Sequence, residues 1–193
     1  MARTSQRSGA ARERLLAVAL DLFARYGVSG TSLQMIADEL GVTKAAVYYQ
    51  FQTKEEIVRA VIAPALDDLT KVTEAAEAQR RRADRLETIL SGLVDLIVNN
   101  RRLAAIMQAD PAIGHLTTSH PAMQALYDRI TRLLAGPGSD AETLISTVMV
   151  SGGLMIVGAD PRLAHIDDDT LRRHLLGTAR RIMRLRPPAH SKR

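Results

Sequence analysis

Apolar residues recur every three or four positions along most of the chain, and alternation with a period of two is absent, so the pattern predicts helices and no sheet. A first helix is expected over about residues 10–26, with Leu16, Leu20 and Phe23 on one face, Leu15, Val18 and Leu22 beside them, and Gly27 as its end. The stretch 31–54 then reads as two short helices joined by a tight turn. Thr31 precedes an apolar run and has Gln34 three residues on, which is a capping-box start. Leu33, Ile36, Ala37 and Leu40 follow at helical spacing, and Gly41 sits where a left-handed residue ends a helix. Val42 is expected to plug the corner, Thr43 to cap a second helix from Lys44 to Tyr49, and Val47 to face back inward. Ala37 and Gly41 are small enough for the two helices to cross closely. Such a pair cannot bury its own apolar face. The preceding helix must complete a three-helix core, with Phe51 closing it from below.

The remaining pattern is also helical. Thr53 to Glu56 forms a second capping box, opening a helix toward about residue 78 with Ile57, Ala60, Val61, Leu66 and Leu69 as its buried stripe and Pro64 as a kink. The run Gln79-Arg80-Arg81-Arg82 reads as a solvated loop and a boundary. A strongly amphipathic helix over 84–98 is interrupted at Asn99-Asn100, and a shorter one carries Leu103, Ile106 and Met107 as far as Asp110-Pro111. Residues 115–120 read as loop, and Pro121 opens the next helix at its first turn, carrying Met123, Leu126, Tyr127 and Ile130. Gly136-Pro137-Gly138 breaks it. Ser139 to Glu142 reads as a third capping box, opening a helix to about residue 157 that is apolar nearly all round and must be covered on every side. Gly152 and Gly153 in its middle cost helix propensity of about 1 kcal/mol each, which points to close approach of another helix. The last helix starts at Asp167-Asp168-Asp169 and ends in Arg180, Arg181, Arg184 and Arg186, matching the macrodipole at both ends. Residues 1–9, with Arg3 and Arg7, and residues 187–193, behind Pro187-Pro188, are expected to be flexible tails.

The pair of short helices is the build of a helix-turn-helix, whose second helix enters the DNA major groove. The segment from Gly27 through Thr31-Ser32, Ile36-Ala37 and Gly41-Val42-Thr43-Lys44-Ala45-Ala46-Val47-Tyr48-Tyr49-Gln50-Phe51 to Lys54-Glu55 resembles the N-terminal domain of TetR-family transcriptional regulators. One departure is Gln50, where many members carry histidine or another aromatic residue. The resemblance implies an all-α chain: a DNA-binding domain over 10–56, extending to about 70 with the connector helix and holding the helix-turn-helix at about 32–51, then a helical ligand-binding and dimerisation domain over 71–186.

Reading DNA requires neutralised phosphates and a few side chains at base edges. Thr43, Lys44, Ala45 and Ala46 lie at the exposed start of the recognition helix, where the alanines admit close approach and Lys44 can donate to guanine or phosphate. Thr31 and Ser32 stand at a helix N-terminus, which suits a phosphate, and Gln34 can reach a base edge. Tyr48 and Lys54 resemble the family's backbone-contacting residues, and Tyr49 can join Tyr48. The surplus of apolar surface on the last two helices is best absorbed by a second copy, through Val148, Gly152, Met155, Leu171, Leu175 and Ile182. A small-molecule inducer is implied by the resemblance alone; Leu90, Leu93, Val94, Ile97, Met107, Met123, Tyr127, Met149 and Met155 are candidates to line its pocket, with methionine giving an adaptable wall. The expected function is a homodimeric repressor on a pseudo-palindromic operator, released by a lipophilic ligand; an activator or a ligand-independent regulator is the alternative.

Composition adds limits. The net charge of +5 and pI near 10.0 fit a polyanionic partner. The chain has no cysteine, which excludes disulfides and thiolate metal sites and suits a cytoplasmic setting. No membrane-spanning helix and no secretory signal are expected, and no cofactor. No nucleophile elbow, phosphate loop or HExxH occurs, so an enzyme is not expected. His115 and His120 with Asp110 match no tight metal-ligand spacing, so no metal is expected either. The low aromatic content, 3 %, favours a lipophilic ligand over a flat stacked one.

Overall fold

The computed structural model describes residues 2–110 and 121–185, with side chains from Gly9 onward in the first helix. Every regular element among the described residues is helical. The helix α1 spans Ala2–Gly30 and its helical geometry breaks at Gly27 (φ 71°, ψ 165°), a conformation that glycine adopts without penalty. Residues 2–9 continue α1, where a flexible arm is expected from sequence; no proline interrupts the ladder there. The helices α2 (Leu33–Leu40) and α3 (Lys44–Gln50) follow, then α4 (Lys54–Glu77), with Pro64 inside it. The body continues with α5 (Arg82–Asn99), α6 (Arg101–Ala109), α7 (Pro121–Ala135), α8 (Ala141–Ala159), a 3-10 turn at Pro161–Leu163, and α9 (Asp168–Ile182).

Local chemistry explains the boundaries. Thr53 accepts from the Glu56 N–H at 3.2 Å, and the Glu56 carboxylate accepts from the Gln52 N–H at 2.8 Å, so the capping box closes one residue earlier than its usual form. Asp140 caps α8 by accepting from the Thr143 N–H at 2.8 Å. Ser139, the residue expected to cap it, instead donates to the Gly136 carbonyl at 2.7 Å. Asp167 caps α9 through the Thr170 N–H at 2.8 Å, and that bond holds its carboxyl below the usual range. The helix ends at Ile182, short of Arg184 and of Arg186, which lies outside the described residues with 187–193.

The apolar core falls into two clusters. One gathers Leu15, Ala19, Leu22 and Phe23 of α1, Ile36 and Ala37 of α2, Val47 of α3, Phe51, and Ile57, Val58 and Ile62 of α4. Leu103 and Ile106 of α6 belong to this same cluster, although α6 comes late in the chain. The other gathers Leu69 and Ala76 of α4 with the inner faces of α5, α7, α8 and α9. Each fully buried aliphatic side chain contributes about 1.5–3 kcal/mol of transfer free energy, so α4, feeding both clusters, ties them together. Its buried stripe holds the expected Ile57 and Leu69 together with Val58 and Ile62, while Ala60, Val61 and Leu66 are only partly covered.

Two glycines make the closest approaches. A Cβ on Gly92 of α5 would stand 2.2 Å from Val72 Cγ1 of α4, and one on Gly158 of α8 would stand 2.2 Å from Ile97 Cγ2 of α5. At Gly152 and Gly153, where the sequence points to such an approach, added Cβ atoms would meet nothing within 4 Å. The helix α8 is therefore not covered on every side within one chain. Leu144, Ile145, Val148, Met149 and Ile156 are exposed, while Thr147, Val150, Leu154 and Gly158 face inward. Among the described residues α8 is also long and apolar enough, by length and composition alone, to cross a membrane, with a mean hydropathy of 1.5. Thr143, Ser146, Thr147 and Ser151 interrupt its apolar run without raising its polarity much.

Candidate nucleic-acid interface

The helix-turn-helix is built by short-range bonds. Ser32 is the N-cap of α2 and accepts from the Met35 N–H at 3.2 Å. Gly41 adopts the left-handed conformation (φ 69°, ψ 34°). Its N–H donates to the Asp38 carbonyl at 3.1 Å and the Val42 N–H to the Ala37 carbonyl at 3.0 Å, the paired bonds of a Schellman end. Thr43 then caps α3 by accepting from the Ala46 N–H at 3.3 Å. Val47 is fully buried and anchors α3 on Ile36, Ala37 and Leu15 of the same cluster. Its neighbours Lys44, Ala45, Ala46, Tyr48 and Tyr49 are left on the outer side, with Tyr49 90 % and Tyr48 41 % exposed. The Lys44 ammonium lies 5.6 Å from the centre of the Tyr48 ring, a cation–π distance that gathers the two polar ends on one side of α3. Ser32 and Gln34 are exposed as well, and Gln34 donates to Asp38 one turn on at 2.7 Å.

Three expected features differ. Thr31 is 2 % exposed and donates to the Gly27 carbonyl at 2.7 Å, so its hydroxyl is spent inside the turn and cannot reach a phosphate. Of the adjacent hydroxyls, Ser32 caps and Thr31 packs. Lys54 points back to the same turn: its ammonium donates to the Ser29 carbonyl at 3.3 Å and the Thr31 carbonyl at 3.0 Å. In this conformation it braces the entry to α2 rather than facing outward. Val42 is 44 % exposed and does not plug the corner; it edges a small groove of about 140 Å3 shared with Ala11, Arg14, Leu40 and Gln50. The side-chain oxygen of Gln50 is buried with no hydrogen-bond partner among the described residues.

Sequence reasoning missed several contacts. The Arg12 guanidinium covers the Phe51 ring at 5.1 Å. Asp110, weighed as a metal ligand, accepts from the Ser29 N–H at 3.0 Å and the Ser29 hydroxyl at 3.2 Å. Its separation of 81 residues from Ser29 leaves no local signal. Among the described residues no group of three or more His, Cys, Asp or Glu could hold a metal. His115 and His120 lie outside them.

Among the described residues the candidate pocket side chains fall in different places. Leu90, Val94 and Ile97 are packed in the body's core with Leu93 at its edge, whereas Met107 packs against the other cluster. Met123 is buried on α7, Tyr127 is half-exposed, and Met149 faces outward from α8. Of the proposed interface, Val148 is 70 % exposed and Gly152 stands beside it on the outer face, with Met155 partly covered. Leu171 is 4 % exposed and belongs to the body's own core, so it is not free to meet a second copy; Leu175 and Ile182 are partly buried against that core. The reason is that α9 lays its apolar stripe onto α5, fixed there by Arg172 on Asp95 at 2.6 Å and by Arg180 on Glu87.

Residues 15–61 match the family model for bacterial regulatory proteins of the tetR family. The HTH-type transcriptional regulator SrpR of Pseudomonas putida is 42 % identical over 61 residues, 32 % of this chain and 29 % of its own length. The HTH-type transcriptional repressor KstR2 of Rhodococcus jostii is 31 % identical over 117 residues, 60 % of this chain and 56 % of its own length. The chain thus aligns with only part of these relatives. The structure of the ketosteroid transcriptional regulator KstR2 of Mycobacterium tuberculosis is similar over 90 % of this chain and 93 % of that one, with a TM-score of 0.69 at 18 % identity, which shows a shared fold. Residues 15–61 thus carry a DNA-binding domain of the tetR type, and the all-helical fold is shared along the chain with a solved regulator of that build.

Proposed function

We propose that this chain is a sequence-specific DNA-binding repressor that acts as a homodimer and leaves its operator when a small lipophilic ligand binds. The observation that carries the reading is α3: one buried anchor, Val47, and an outward surface of Lys44, Ala45, Ala46, Tyr48 and Tyr49 on a capped, rigid helix. Such a surface enters a major groove with small side chains against the bases and amphipathic ones at the sugar-phosphate edge. The exposed stripe of Ile145, Val148, Met149, Gly152 and Ile156 supports the dimer, because an aliphatic strip of this kind is unfavourable in water and a twofold axis lets one patch serve both copies. Two copies would set two recognition helices on half-sites about 34–36 Å apart, or a multiple of that. Repression is supported by the relative KstR2, named a transcriptional repressor.

The lipophilic ligand is supported by the neighbour KstR2, named a ketosteroid regulator. An open surface groove between α6 and α8, walled by Ala105, Ala109, Ile156, Ala159 and Pro161 and rimmed by Gln108, Asp160 and Arg162, offers such a ligand an apolar contact surface. A ligand that bound one head spacing better than another would shift the population between them. The proposed domain division is residues 10–56 for the reading head and 71–186 for the body.

The test is binding of the purified protein to the intergenic DNA upstream of its own gene, across a salt series, beside a Lys44→Ala, Tyr48→Ala variant. Tight binding with a steep salt slope, lost in the variant, supports the reading. Equal and weak binding of both proteins to this DNA and to duplexes selected from random sequence contradicts it.

A further inference from the structure

The helix α6 is shared between two neighbours. Its Leu103 and Ile106 are buried in the same apolar cluster as the helix-turn-helix, and its Arg102 pairs with Asp21 of α1. The residue capping its C-terminus, Asp110, is 7 % exposed and takes both the N–H and the hydroxyl of Ser29 on one carboxylate oxygen. Ser29 lies in the short turn between the break at Gly27 and the cap at Ser32. The same turn is gripped from its other side by Lys54, on the Ser29 and Thr31 carbonyls. Four hydrogen bonds from two distant side chains thus fix a turn of a few residues. The turn determines where α2 begins, and α2 carries α3 through the Schellman end.

We infer that Asp110 is a positioning residue for DNA binding: through Ser29 it sets the angle at which α2 and α3 are presented, and so carries any displacement of α6 to the recognition helix. The inference rests on the DNA-binding reading above. Charge-assisted bonds from a mostly buried carboxylate are among the stronger ones a protein makes; without the acceptor the exposed Ser29 turns its donors to water and the turn loses its tie to α6. The turn then samples several geometries, and each DNA encounter must select one of them.

This account differs in sign from simple electrostatics. Asp110 is acidic and touches no DNA in the proposed mode. Replacing it by alanine makes the protein more basic, which by charge alone tightens binding to a polyanion. A positioning role predicts weaker binding instead, with an unchanged salt slope, because no phosphate contact is lost.

The experiment uses full-length protein and a duplex selected from random DNA by the wild type. Asp110→Ala is expected to bind about tenfold more weakly at the same salt slope, the loss of one strong hydrogen-bonded anchor. Asp110→Asn, which keeps a carbonyl acceptor for Ser29, is expected to bind within a factor of about two of the wild type. Amide exchange, read on the same proteins, is expected to quicken in the 28–33 turn of Asp110→Ala while α5 and α9 stay protected, which separates the effect from global unfolding. If Asp110→Ala binds as tightly as the wild type, or more tightly, or if exchange in the turn is unchanged, the inference is overturned. A wild type that enriches no duplex at all instead removes the DNA-binding reading on which it rests.

Discussion

The helices α3 and α8 both leave one side uncovered, and they expose opposite kinds of surface. The outer side of α3 carries an ammonium, two phenols and two methyl groups around a single buried valine. The outer side of α8 carries isoleucines, a valine and a methionine, while its inner side buries Thr147, Val150, Leu154 and Gly158. Water tolerates the first surface, which can exchange hydrogen bonds with solvent until a hydrated polyanion arrives. The second gains from a dry partner of matching shape. One chain therefore holds a wet surface and a dry one, which the proposed reading assigns to DNA and to a second copy.

Charge placed on α8 should break the comparison most severely. Val148→Asp would put a carboxylate into the proposed dry contact, costing on the order of 4 kcal/mol and raising the dimer dissociation constant about a thousandfold. Light scattering should then report a monomer of 21.1 kDa where the wild type reports twice that mass. A wild type that is itself monomeric at tens of micromolar would remove the dimer from the account.

On α3, Lys44→Ala with Tyr48→Ala is expected to cut DNA affinity by about ten- to a hundredfold and to lower the magnitude of the salt slope by about one, without changing thermal stability, because both side chains face outward. A loss of melting temperature of several degrees would show that these residues support the fold instead.

Two glycines of α8 sharpen the contrast within one helix. Gly158→Ala should destabilise the chain by about 1–3 kcal/mol, because the new methyl meets Ile97. Gly152→Ala should stabilise an isolated subunit by up to about 1 kcal/mol through helix propensity, because its surroundings are open. Thermal unfolding of the two variants should therefore move in opposite directions when measured on the Val148→Asp background.

The smallest effect is acidic. Asp160, at the end of α8, is held at about 2 by the Arg162 guanidinium and N–H. Its folded value lies below its unfolded one, so its contribution is present above the ordinary carboxylate range and is lost as pH falls toward 2. Asp160→Asn should therefore lower stability slightly at neutral pH, leave it unchanged near pH 2, and so flatten that part of the acid unfolding curve; an identical acid curve would dissociate the pair from stability.

Much of the head was legible because its signals are local. Gly41, Thr43 and Thr53 act within four residues of themselves, so their caps could be named from spacing alone. Thr31 and Ser32 show where this ends. Both are hydroxyl residues before the same apolar run, and the choice between them depends on Gly27 and on which side of the turn meets the core. Lys54 turns inward for a related reason: two carbonyls 23 and 25 residues away lie within its reach. In the body, amphipathic spacing revealed the helices but not which apolar residues one chain keeps for itself. Leu171 goes to its own core and Val148 does not, and only the packing of α9 on α5 separates them. The pocket was least legible, since Leu90 and Val94 look the same in sequence whether they line a cavity or fill one.

The most direct test of the central claim, a pair of outward recognition helices joined by a dry contact on α8, is the sequence of the DNA the protein selects. Rounds of selection from random duplexes by the wild type should enrich an inverted repeat whose half-site centres are separated by a whole number of helical turns, about 10 base pairs each. Val148→Asp should enrich a single half-site weakly or none. Enrichment of the same unpaired site by both proteins, or of no site by either, would contradict the account.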